Sequence, residues 1–201
     1  MPHKLYDISP LEPLLERGFV ILTPNFRLAR RIAAEWDSRC IASGLAVWDS
    51  LPVQPLESWL LQQWERAVSL GLAPALAPLN GAQTLELWQQ VIAEEERQSG
   101  DYHLLRPAAA AELASQARDS LLRWEVDVHA EPVRQAFNLD TDCATFLRWL
   151  ALFDQRLAAA QQCTPADCLR HLCSTSTAGM PPNVVLVDFD DVAPLLRRAL
   201  S

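Results

Sequence analysis

Lysine is nearly absent from this chain. It occurs once, at Lys4, and arginine supplies the rest of the 17 basic side chains. A GC-rich genome is the plain explanation of that bias. A phosphate-cradling Gly-x-x-x-x-Gly-Lys-Ser/Thr loop needs a lysine after a glycine-rich turn. Only three residues precede Lys4, so ATP binding by that mechanism is excluded. No Gly-x-Ser-x-Gly is present, and His103, His129 and His171 have no paired nucleophile, which leaves no hydrolase triad. No apolar run approaches a membrane span, and no signal-peptide pattern opens the chain. A cytoplasmic protein without a membrane partner is therefore expected. The five cysteines form no Cys-x-x-Cys pair and read as reduced thiols. Cys163, Cys168, His171 and Cys173 cluster in sequence, but buried small hydrophobes explain them better than a metal site does. Nothing in the sequence calls for a cofactor.

The net charge is −8. An acidic chain does not hold nucleic acid through bulk charge, so any phosphate contact must come from locally clustered cations. Half of the residues are apolar, enough for a sizeable core. The length fits one domain, or one domain carrying a large insertion.

Three short apolar runs read as buried parallel strands: Phe19–Leu22, Leu45–Trp48 and Val184–Val187. Between Pro52 and Ala178 the patterns are helical. Stripes run through Leu56, Trp59, Leu60 and Trp64, and through Thr84, Leu87, Trp88, Val91 and Ile92. Ala108–Trp124 is a further helix, with Pro107 at its first position. Thr141–Gln162 carries Phe146, Trp149, Leu150, Phe153 and Leu157, and Thr164-Pro165-Ala166-Asp167 opens a last helix with a cap. Leu70–Asn80 and Ser174–Asn183 read as loops. The tryptophans at 59, 64, 88, 124 and 149 fall on apolar stripes and are expected in the core. Glu94-Glu95-Glu96 reads as a solvated helix face.

The expected fold is thus α/β. Residues 1–51 and 179–201 form a small parallel sheet layer, and residues 52–178 form a large, all-helical inserted subdomain. Ordinary crossovers are much shorter than that insertion. The alternative is an all-α domain in which the apolar runs are connectors.

Two places could carry chemistry. The first is the strand–loop–helix of Gly18–Trp36. Thr23-Pro24-Asn25 follows the first apolar run, and Leu28, Ile32 and Trp36 share one face of the helix beyond it. Arg27, Arg30 and Arg31 lie in its first turns. Ligands of open α/β sheets bind at the carboxyl ends of strands, and a helix amino terminus suits an anion such as nucleic-acid phosphate. The second place is Asp188-Phe189-Asp190-Asp191, after the last strand. Carboxylates there hold Mg²⁺ in many nucleotide hydrolases. Without a phosphate loop, a strand-end turn and the amino cap of a helix over Val192–Leu200 is the better reading.

The segments Leu22-Thr-Pro-Asn-Phe-Arg-Leu-Ala-Arg30, Trp48, Pro55-Leu-Glu-Ser-Trp59-Leu, Trp64 and Val185-Leu-Val-Asp-Phe-Asp-Asp-Val-Ala-Pro194 carry a resemblance. Together they resemble the N-terminal region of a bacterial family of DNA-repair proteins similar to the AddB-type subunit of helicase–nucleases. Full-length members look like a degenerate superfamily 1 helicase core followed by a PD-(D/E)XK nuclease domain. The resemblance implies a helicase-like remnant of a P-loop NTPase sheet. It implies that Thr23, Pro24, Asn25, Arg27, Arg30 and Arg31 sit where such helicases touch single-stranded DNA, and that the strand ending at Asp188 sits where they bind Mg²⁺. The departures are the missing phosphate loop and Asp190-Asp191 in place of Asp-Glu. The chain also stops at Ser201, before any nuclease motif, and so reads as an N-terminal fragment or truncated relative.

Three functions follow as expectations. The first is a non-catalytic domain of a DNA repair and recombination protein that contacts single-stranded DNA weakly. Its partners would be the rest of its own chain or a helicase–nuclease partner subunit. The second is an interaction scaffold without nucleic-acid contact. The third is a Mg²⁺-dependent phosphoesterase using Asp188, Asp190 and Asp191. No ATPase and no nuclease activity is expected of residues 1–201.

Overall fold

The computed structural model describes residues 6–174 and 183–200. Much of the expected Ser174–Asn183 loop lies outside them. The described residues divide into two compact units, one of 6–66 with 183–192 and one of 67–174 with 193–199.

The first unit is built on strand β1, Val20–Thr23, whose Ile21, Leu22 and Thr23 are buried. A strand covered on both faces needs a near-continuous apolar run, and Val-Ile-Leu supplies it. β1 is central in a three-stranded sheet between β2, Val53–Pro55, and β5, Val184–Leu186. Both pairings are parallel, with Ile21 opposite Val53 on one side and Val185 on the other. The all-α alternative is thereby overturned. Helix α1 (Glu12–Glu16) precedes β1, and helix α2 (Phe26–Ala42) follows it. Ile32 of α2 joins Ile8, Leu11, Ile21 and Val187 in one apolar cluster, with Leu28 and Trp36 packed against it.

Leu45–Trp48 is not a strand, and the structure corrects that expectation. Gly44, at φ +77°, ends α2. Its N–H reaches the Ile41 carbonyl at 3.0 Å, and the Leu45 N–H reaches the Cys40 carbonyl at 3.1 Å. That is a Schellman closure, which takes residues 44 and 45 into the helix cap. Leu45 and Val47 are then exposed, and the Trp48 indole donates to Asp37 at 2.8 Å. The strand comes later, at Val53–Pro55. β2 is an edge strand, where proline is tolerated because one row of backbone groups needs no partner.

Helix α3 (Leu56–Ser69) leads from the sheet, and the division between the units runs through it rather than at residue 51. Then come β3 (Ala77–Pro78), α4 (Gly81–Ser99), α5 (Pro107–Arg123), α6 (Glu131–Asn138), α7 (Thr141–Ala159), β4 (Gln162–Cys163) and α8 (Pro165–Ser174). After β5 the chain enters α9 (Pro194–Ala199), which belongs to the helical unit. β3 and β4 form a two-residue parallel pair where only loop and helix were expected.

The helix starts follow from capping chemistry. Asn80 and Gln83 make a reciprocal capping box on α4, Asp140 caps α7, and Pro107 opens α5. The core of this unit centres on Trp88, stacked on Phe153 with ring centroids 4.0 Å apart, among Val91, Ile92, Leu150 and Leu157. Trp59, Trp64, Trp88 and Trp149 are buried. Trp124 is not: α5 stops at Arg123, so Trp124 leaves the apolar stripe and is 51% exposed.

Two ionic networks tie the helices. Glu95 is buried rather than solvated. Its carboxylate accepts from Arg148 Nε at 2.6 Å, from Trp149 Nε1 at 3.3 Å and from the Tyr102 hydroxyl. Burial and this carboxylate push the Tyr102 phenol up to about 12. The second network centres on Arg118 of α5, which is 5% exposed. Its guanidinium donates to both Asp167 oxygens at 3.0 Å, to Asp154 Oδ1 at 2.9 Å and to Thr164 Oγ1 at 3.0 Å. Burial pushes the Asp167 carboxyl up. The Arg118 charge, with hydrogen bonds from Arg118 and Thr164, outweighs burial and holds it below the usual carboxylate range.

Removing one partner of a buried ion pair destabilises by roughly 3–5 kcal/mol. Arg118→Met should fall near the lower end, about 3 kcal/mol, because Thr164 and Arg170 still reach Asp167. A depressed folded-state pKa stabilises above the ordinary carboxylate value of about 3.9 and loses that contribution as pH falls through the folded value. Urea unfolding from neutral pH to below pH ~4 should therefore show a flatter acid limb in Arg118→Met than in the wild type.

Candidate nucleic-acid interface at the carboxyl edge of the sheet

β1 and β5 are hydrogen-bonded neighbours, so the two candidate loops leave the sheet side by side. The ladder ends with the Val187 N–H on the Leu22 carbonyl at 3.0 Å. Residues 23–25 and 188–191 follow at that edge. β2 lies on one side of β1 and β5 on the other, which is the arrangement that opens a crevice beyond the strand ends of parallel sheets.

Thr23 is fully buried, and its hydroxyl donates to the Asn25 carbonyl at 3.0 Å. It shapes the turn and presents nothing to solvent. Pro24 and Asn25 are exposed. Asn25 is extended, and its Oδ1 accepts from the Leu28 N–H at 3.0 Å, capping α2. Arg27, Arg30 and Arg31 are all exposed on the first two turns of α2, and the first turn contains no acidic residue. Cations near a helix amino terminus oppose its macrodipole, by about 0.3–1 kcal/mol each at exposed sites. The arrangement is locally unfavourable for the helix and favourable for an external anion.

One contributor was not legible in the sequence pattern. Phe26, the first residue of α2, is 63% exposed, and the Arg30 guanidinium lies 5.8 Å from its ring centroid. Together with Ala29, Gln54, Pro55 and Ser58 they line a groove of about 370 Å³ beside β2. The signal for this pair is its i, i+4 spacing on one helix face.

The acidic loop follows β5 as the expected strand-end turn, but it does not cap the last helix. Asp188 has φ +55°, and its Oδ1 accepts from the Tyr6 hydroxyl at 3.1 Å. Burial and this carboxylate raise the Tyr6 phenol above its ordinary value. Asp190 and Asp191 are exposed, and α9 starts only at Pro194, so they are not its amino cap. Among the described residues no three His, Cys, Asp or Glu side chains converge as a metal site. The cysteine cluster splits as well: Cys163 and Cys168 are adjacent, while the Cys173 thiol points to the Leu195 carbonyl at 3.4 Å.

No protein-family model matches this chain, and no curated protein matches it.

The Asn25 cap can be tested apart from ligand binding. Loss of an asparagine cap to alanine destabilises by about 0.5–2 kcal/mol, and loss to glycine by only a few tenths. Asn25→Ala should therefore lower urea stability by about 1 kcal/mol and Asn25→Gly by much less. Equal losses in the two variants would mean that Asn25 does more than cap α2.

Proposed function

We propose that this chain is a non-catalytic, helicase-like domain of a DNA repair and recombination protein of the helicase–nuclease type. In this reading the amino-terminal edge of α2 holds single-stranded DNA weakly. The observation that carries it is the set of exposed arginines 27, 30 and 31 on a helix whose first turn contains no acidic residue. Phosphate is the ligand that turns this local repulsion into attraction. The resemblance of Leu22–Arg30 and Val185–Pro194 to AddB-type proteins supplies the DNA-repair context. The turn between β1 and α2 is Pro24-Asn25, closed by its own asparagine side chain, which favours a domain that does not hydrolyse nucleotides.

The rest of a longer chain, or a partner subunit, would complete the assembly. No helix among the described residues is long and apolar enough to cross a membrane. The interaction-scaffold reading has one observation in its favour. In the helical unit an apolar groove of about 970 Å³ lies between α5 and α7, with Leu113 and Trp124 exposed at it. The Mg²⁺ phosphoesterase reading has none, since Asp188 is engaged by Tyr6.

Single-stranded DNA affinity against salt separates the first two. Each phosphate contact contributes about 0.7 to the slope of log K on log salt for single strands. Arg27→Ala and Arg30→Ala should each flatten the slope by about that amount. Absence of salt-dependent binding by the wild type, even near about 20 mM salt, would leave the scaffold reading.

A further inference from the structure

We propose that Cys163 and Cys168 form a redox-active dithiol, which a small-molecule disulfide converts to an internal disulfide across the start of α8. Their sulfurs lie 3.4 Å apart, and both side chains are buried. The two thiols thus meet within one short turn of chain, where ring closure carries little entropic penalty. Cys173 faces the Leu195 carbonyl, and Cys143 sits on the first turn of α7.

The two sulfurs are not equivalent. The hydrogen bond from Cys168 lowers the Cys163 thiol below its ordinary value, against the opposing effect of burial. The same hydrogen bond and burial push Cys168 up. Cys163, on the two-residue strand β4, is the attacking thiol, and Cys168, held within α8, is the resolving one.

Burial protects the pair from bulk reagents, but the ladder that carries Cys163 is lightly held. β4 is only Gln162–Cys163, and its partners Ala77 and Pro78 are both exposed. Gln161, just before β4, is held at φ +52°. A non-glycine residue there holds a strained backbone conformation. Short ladders with exposed partners open locally far more often than the whole protein unfolds.

The chemistry balances in two exchanges. Cys163 thiolate attacks one sulfur of the small disulfide, forming a protein–small-molecule mixed disulfide and expelling one small thiolate. Cys168, after losing its proton, attacks the Cys163 sulfur and expels the second. Two protein thiols are oxidised, and one small disulfide is reduced to two thiols. The new bond would flank Thr164 and Asp167, the residues that hold the Arg118 guanidinium, and so would fix the α5–α8 tie covalently. In a reducing compartment the pair stays as thiols until the poise shifts.

The test treats the whole chain with oxidised glutathione, quenches by alkylation and maps tryptic peptides. Residues 157–170 lie on one such peptide, between Arg156 and Arg170. The expected product is that peptide lacking two hydrogens, unalkylated and without glutathione, reverting on reduction. Cys168→Ser should instead trap glutathione stably on Cys163. If the serine variant is misfolded by circular dichroism, Cys168→Ala replaces it. A wild-type peptide that keeps both alkylatable thiols, or that retains glutathione on Cys163 without closing, overturns the proposal.

Discussion

The structure of the first unit depends on β1 being paired on both sides. Ile21 and Leu22 are fully buried, so their strand has no solvent to satisfy an open edge. β2 supplies one ladder and β5 the other. β5 follows α8 in sequence, more than a hundred residues after β2, so the chain must return after α8 to close the sheet. That return brings the Asp188 loop beside the Thr23–Asn25 turn and lets Tyr6 reach Asp188. The candidate interface exists only because a long-range parallel pairing closes it.

Within that edge the roles separate by burial. Thr23 and Asn25 use their side chains on the backbone of the turn and of the helix start. They position the edge and have little left to offer a ligand. The exposed groups, Phe26, Arg27, Arg30 and Arg31, lie on the first two turns of α2. An acidic protein that contacts a polyanion needs such segregation, because its bulk charge repels what its local cations attract.

Much of this was legible in the sequence. Phe19–Leu22 located β1 to within one residue, because a buried strand between a glycine and a Thr-Pro-Asn break has few alternatives. Val184–Val187 located β5, and the apolar stripes, Pro107 and the Thr164 cap located the helices. Leu45–Trp48 misled because an apolar residue after a helix-ending glycine serves the cap as well as a strand. Val53–Pro55 was hidden by its flanking prolines. At the site, the arginines were visible from spacing alone. The burial of Thr23, the Tyr6–Asp188 contact and the Arg118 clamp join residues far apart in sequence, and no local pattern encodes them.

The central claim is that nucleic acid meets this protein at the amino-terminal edge of α2. Photo-crosslinking of an iodouracil-substituted single strand to the whole chain at low salt, followed by peptide mapping, addresses it directly. The account predicts adducts on the segment from Pro24 to Arg31, with Phe26 the foremost acceptor. Adducts confined to residues 67–174, or none at all, would contradict it.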